Sequence, residues 1–88
     1  NELFEIIEER KANPTEKSYT ASLFAEGEDR VLQKVGEEAV EVIIAAKGQG
    51  DQRIIEEISD LFYHTLVLLS AKDLTLSDVE DELRKRHK

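Results

Sequence analysis

The stretch LQKVGEEAVEVIIAAKGQGDQRIIEEISDLFYHTLVLL, Leu32 to Leu69, contains two long apolar runs separated only by Gly48-Gln49-Gly50-Asp51. Within each run Val, Ile, Leu and Ala recur at intervals of three and four, the period of a helix. The spacing predicts one helix from about Glu28 to Lys47 and a second from about Gln52 to Ala71. Gly48 stands where a left-handed residue closes a helix, and Asp51 where a side chain caps the next one. A link that short turns the chain back on itself, so the two helices form an antiparallel hairpin.

Outward from the hairpin, Leu3, Phe4, Ile6 and Ile7 predict a helix over Glu2–Ala12. Asn13-Pro14 ends it, because the residue before proline avoids the helical region. TEKSYTASLF, 15–24, reads as a loop in which Thr20 caps a short turn running to Gly27. DLTLSDVEDELRKRHK, 73–88, reads as a last helix. Thr75 is its cap, Asp78 the third helical residue, and Leu74 and Val79 a hydrophobic staple. The basic tail RKRHK lies where the helix dipole favours positive charge, and phosphate contact is the alternative role for it. No strand pattern competes, so the expected fold class is all-α, with a single domain over residues 1–88.

The 12 Lys and Arg against 20 Asp and Glu give a formal net charge of −8. Such a chain repels polyanions, which argues against a nucleic-acid partner. Cysteine is absent, which removes disulfides, thiolate catalysis and cysteine-bound zinc together and fits a cytoplasmic setting. No stretch is long enough to span a membrane, and the acidic, helical start does not resemble a signal peptide. The lack of an initiator Met suggests a trimmed start.

Acidic residues interrupt both apolar runs. At about 100° per residue, Val31, Leu32, Val35, Ala39, Val42, Ile43 and Ala46 share one stripe of the first hairpin helix. Glu38, Glu41 and Lys34 form a column on its flank. On the second, Ile54, Ile58, Leu61, Phe62, Thr65, Leu68 and Leu69 share a stripe, flanked alike by Glu57, Asp60 and His64. Val40 and Ile44, and Tyr63, Leu66 and Val67, extend the apolar surface beyond these stripes, more than an 88-residue hairpin can cover. A homodimer in which two hairpins make a four-helix bundle is therefore expected, with a tetramer left open.

Four carboxylates drawn from water in such a bundle without partners would cost roughly several kcal/mol each, or would shift their pKa values upward until neutral. A hard divalent cation (magnesium, manganese or calcium) removes that cost. The competing explanation is a solvated flank, since Glu is a good helix former. His64 suits a hydrogen-bonding, substrate-contacting or packed role better than metal ligation in an oxygen-rich site.

Glu37-Glu38-x-x-Glu41 followed by Glu57-x-x-Asp60 on two tightly joined helices resembles the MazG-like all-α nucleoside triphosphate pyrophosphohydrolases. The flanking text NPTEKSYTASLF, QKVGEEAVEVIIAAK, EEISDLFYHTLVLL and LSDVEDELRKRH is similar to the phosphoribosyl-ATP pyrophosphohydrolase family across almost the whole chain. The resemblance implies magnesium-dependent hydrolysis of the α–β phosphoanhydride of a nucleotide substrate, phosphoribosyl-ATP, in histidine biosynthesis, with manganese as a substitute ion. It implies Glu38, Glu41, Glu57 and Asp60 as metal ligands, and Glu37 or Glu38 as the residue acting on water. Lys34 is then either an ion-pair partner of Glu38 or a phosphate contact. Ser18, Thr20 and Lys17 of the KSYT loop, with Arg30 and His64, are the remaining substrate-binding candidates. A housekeeping nucleotide pyrophosphohydrolase would share every acidic ligand, and a non-catalytic dimerisation module is the other alternative.

Overall fold

The computed structural model describes residues 1–87; Lys88, the end of the expected basic tail and domain, lies outside them. Five helices follow in order: α1 Glu2–Ala12, α2 Tyr19–Glu26, α3 Glu28–Gly48, α4 Asp51–Ala71 and α5 Leu76–Arg86. No strand occurs among the described residues, and no helix is long and apolar enough to cross a membrane.

The helix ends follow from local chemistry, with three differences from the sequence reading. The segment read as a loop is a helix, α2. Its cap is Ser18, whose hydroxyl accepts from the Ala21 N–H, and Thr20 sits inside the first turn. Gly48 is the last residue of α3, and the positive φ falls instead on Gly50, at 88°. Gly50 is also the N-cap of α4, so Asp51 is the first helical residue, where its charge favours the helix dipole without a capping hydrogen bond. Thr75 and Asp78 form the complete reciprocal capping box expected for α5.

At the other end of α4 the chain closes with a Schellman pattern. The Leu74 N–H donates to the Leu69 carbonyl and the Asp73 N–H to the Ser70 carbonyl. The left-handed position carries Asp73, φ 58°, where glycine is usual. Lys11 of α1 reaches this turn, donating to the Ser70 carbonyl at 2.5 Å and to Asp73 Oδ1 at 2.8 Å. The contact fixes α1 to the end of α4 and holds the Asp73 carboxyl below its ordinary range.

The apolar core lies at one end of the hairpin. Phe4 and Ile7 of α1, Leu23 of α2, Val31 of α3, and Leu66 and Val67 of α4 pack there, edged by Leu3, Phe24, Tyr63, Leu68, Leu69 and Leu76. Burial of each such side chain contributes about 1.5–3 kcal/mol. α5 contributes no fully buried residue, and its terminal Arg84 and Arg86 pair with Asp81 and Glu82 of its own helix.

The hairpin is rotated relative to the wheel reading. Away from the core end, the buried positions are Glu38 and Ala45 on α3 and Glu57 on α4. The expected stripes carry exposed residues, namely Leu32, Ile43 (64% accessible), Ile58 and Phe62, and Val40, Ile44 and Ile55 beyond the stripes are exposed as well. Ala45 is small enough for the helices to approach closely, and the wide apolar arcs are left for a different contact.

Candidate functional site

Residues seven apart on a helix return to nearly the same face. Glu38 and Ala45 do so on α3, and Glu57 and His64 on α4, which sets the acidic residues into the seam between the helices. Asp60, one turn after Glu57, is exposed at the edge of that seam. Glu38, Glu57 and Asp60 each offer a carboxylate oxygen, all within 4.8 Å of one another. Opposite oxygens around magnesium stand about 4.2 Å apart and those around calcium about 5 Å apart. Three carboxylates at that spacing could hold a metal ion, and their oxygen donors suit a hard cation better than a soft one.

Glu41 is exposed and lies outside this group. Glu37 is exposed too, its Oε2 accepting from Gln33 Nε2 at 2.9 Å. Lys34 places its ammonium 3.3 Å from Glu38 and 3.6 Å from Glu37. Burial pulls the Lys34 pKa down, but the hydrogen bond to Glu38 and the neighbouring Tyr19, Glu38 and Glu37 outweigh it and the net displacement is upward. Lys34 therefore keeps its positive charge at the rim of the acidic seam.

Arg53 was not singled out by the sequence, and it mirrors Lys34. Its guanidinium spans Glu56, at 2.5 Å, and the buried Glu57. The signal available was the spacing itself: a cation four residues before each buried glutamate.

A second polar cluster joins α2 to α4. The His64 Nδ1 lies 2.7 Å from the Asp60 carbonyl. A carbonyl only accepts, so Nδ1 carries the proton, and in the neutral ring Nε2 accepts from the Tyr19 hydroxyl at 3.0 Å. The Tyr19 and Tyr63 rings stack at 6.2 Å, and His64 meets both edge-on. Thr20 Oγ1 pairs with the Tyr63 hydroxyl, whose pKa burial pushes up.

Both nitrogens of His64 and the hydroxyls of Ser18 and Thr20 are thus engaged within the protein. Lys17 is exposed, and Arg30 stands 3.7 Å from Glu26. The hollows lined by Pro14–Ala25 residues and by Leu69, Leu74, Val79 and Leu83 lie away from the carboxylates. The acidic seam is an open flank of the hairpin.

Comparison with known proteins gives a family and named relatives over nearly the whole chain. The family model described as phosphoribosyl-ATP pyrophosphohydrolase matches residues 1–87. A protein of Geotalea daltonii named phosphoribosyl-ATP pyrophosphatase is 56% identical over 84 residues, 96% of this chain and 79% of that protein. One of the same name from Methanocella arvoryzae is 47% identical over 90 residues, covering 100% of this chain and 95% of the relative. The histidine biosynthesis bifunctional protein HisIE of Caldanaerobacter subterraneus subsp. tengcongensis is 52% identical over 88 residues, all of this chain and 43% of the larger protein. With a matching family model over nearly its full length and relatives at about half identity, the chain belongs to the phosphoribosyl-ATP pyrophosphohydrolase family.

Proposed function

We propose that the protein hydrolyses the α–β phosphoanhydride of phosphoribosyl-ATP, releasing phosphoribosyl-AMP and pyrophosphate, as a cytoplasmic enzyme of histidine biosynthesis. The observation that carries the reading is the convergence of Glu38, Glu57 and Asp60 from two helices onto one point, in a chain of this family.

In this reading Glu38, Glu57 and Asp60, with Glu41, would hold magnesium, or manganese in its place. The bound ion supplies charge neutralisation for the triphosphate and acidifies the attacking water. The chain's residues do the rest. Lys34 meets phosphate oxygens at the rim of the seam, where positive charge counts most as the anhydride breaks. Water delivers its oxygen to one phosphorus, the bridging oxygen leaves with the other fragment, and the water's proton passes to a carboxylate of the acidic run. Glu38 touches the reacting centre directly. Glu37 takes part through its contact with Lys34. Tyr19, Thr20, Tyr63 and His64 hold α2 against α4, so that the KSYT segment, with Lys17 and Arg30, borders the substrate.

The exposed apolar face of the hairpin supports a homodimer. Seven large side chains, Leu32, Val40, Ile43, Ile44, Ile55, Ile58 and Phe62, lie outward on two adjacent helices. A contiguous patch of that kind marks an association surface. A second hairpin on it makes the four-helix bundle and places both acidic seams within one assembly.

The test is pyrophosphate release from phosphoribosyl-ATP, compared with a panel of deoxynucleoside triphosphates, with and without magnesium. Magnesium-dependent turnover of phosphoribosyl-ATP above every other substrate is expected. Faster turnover of a deoxynucleotide would replace this reading with the housekeeping one.

A further inference from the structure

The two buried glutamates of the seam carry the same accessory. On α3, Lys34 contacts the carboxylates three and four residues ahead, Glu37 and Glu38. On α4, Arg53 contacts those three and four residues ahead, Glu56 and Glu57. In both cases the residue at the fourth position is the buried one.

Helix stabilisation is a poor reason for this order. The favoured arrangement for an exposed pair puts the glutamate first and the cation four residues later. Both pairs here run the other way. The order suits the carboxylates instead, since a buried carboxylate must be partnered. Because α3 and α4 are antiparallel, Lys34 and Arg53 approach the cluster from opposite directions along the hairpin, each about one helical turn away.

We propose that Lys34 and Arg53 are exchangeable counter-ions of the acidic seam. They partner Glu38 and Glu57 while no divalent cation is bound. When the cation takes those carboxylates, the two side chains are released to the phosphate oxygens of the substrate on either side of it. Arg53 has open space to move into, its side chain being 47% accessible. One exchange thereby couples metal loading to readiness for a polyanion: each carboxylate claimed by the metal frees one cation for phosphate. The idea rests on the proposed reading of the seam as a divalent-cation site, and it makes Arg53 a substrate-contacting residue of the loaded enzyme.

The test is binding of manganese alone, without nucleotide, to the full chain, followed by electron paramagnetic resonance or calorimetry. Arg53→Gln removes the competitor for Glu57, so manganese binds about two- to fivefold tighter, the range expected for loss of a partly exposed ion pair. Arg53→Lys keeps a competing charge and stays near the parent affinity. In the activity assay Arg53→Gln raises KM with a smaller change in kcat. Unchanged or weaker manganese binding in Arg53→Gln overturns the inference, as does an Arg53→Lys affinity that follows Gln. The binding arm needs no turnover. A chain that binds manganese as described but does not hydrolyse phosphoribosyl-ATP refutes the substrate assignment and leaves the counter-ion exchange standing.

Discussion

At the end of the hairpin covered by α1 and α2, the buried residues are Val31, His64, Leu66, Val67 and Ser70; along its open half they are Glu38, Ala45 and Glu57. The first set is a largely apolar core, satisfied within one chain except for the unpartnered Ser70 hydroxyl. The second spends the seam between two helices on carboxylates and turns isoleucines to the outside. A sequence selected only for monomer stability would rotate the open half by about a quarter turn and bury Ile43 and Ile58. In the proposed reading, the inner surface of the open half serves chemistry and its outer surface serves association.

The largest effect that separates the two halves is on turnover. Glu57→Gln preserves shape and removes a ligand charge, so activity should fall on the order of a thousandfold, the scale of several kcal/mol supplied by a bound cation. The same variant should lose magnesium-dependent stabilisation in thermal unfolding while its metal-free melting temperature holds or rises. A melting temperature that drops without metal would make the seam a structural core after all.

Leu66→Ala at the covered end should cost about 2–5 kcal/mol in urea unfolding, with per-molecule activity retained by the folded fraction. On the outer face, the pair Ile55→Asp and Phe62→Asp should leave helicity intact and shift the sedimenting species from dimer to monomer. A dimer that survives both charges would mean that association uses another surface.

Smaller effects probe the fastenings between the halves. Tyr63→Phe leaves the buried Thr20 hydroxyl without its partner and should cost about 1 kcal/mol, read by chemical denaturation. The Lys11–Asp73 contact gives a pH dependence. The Asp73 carboxyl sits below its ordinary value of 3.8 in the folded chain, so its contribution is present above that value and is lost as pH falls through the lowered one. Acid unfolding should therefore be shallower in Asp73→Asn between pH 5 and pH 2, values of about the span over which carboxylates titrate. Parallel acid-unfolding curves would show that the contact contributes nothing measurable, as many exposed pairs do.

Much of this was legible in the residue order. The 3.6-residue period and the punctuation at Pro14, Gly48–Asp51 and Thr75 placed four helices to within a residue or two. The acidic spacing and the family resemblance named Glu38, Glu57 and Asp60, which converge, together with Glu41, which lies outside the group. Three features were not readable. Periodicity reports that a face is apolar, but not whether it is buried by its own chain or by a second copy, so the rotation of α3 against α4 could not be fixed from wheels. The helix α2 was hidden by its serine- and threonine-rich start, where Ser18 and Thr20 are equally good caps. Arg53 escaped notice because an exposed arginine near glutamates is commonplace until one of those glutamates is known to be buried.

The central claim is that Glu38, Glu57 and Asp60 together grip a divalent cation. It is tested most directly by the anomalous difference map of a crystal of the protein grown with manganese. A peak within coordination distance of all three carboxylates is the expected result; manganese bound elsewhere, or a seam in which Lys34 and Arg53 still hold both glutamates at saturating manganese, would contradict it.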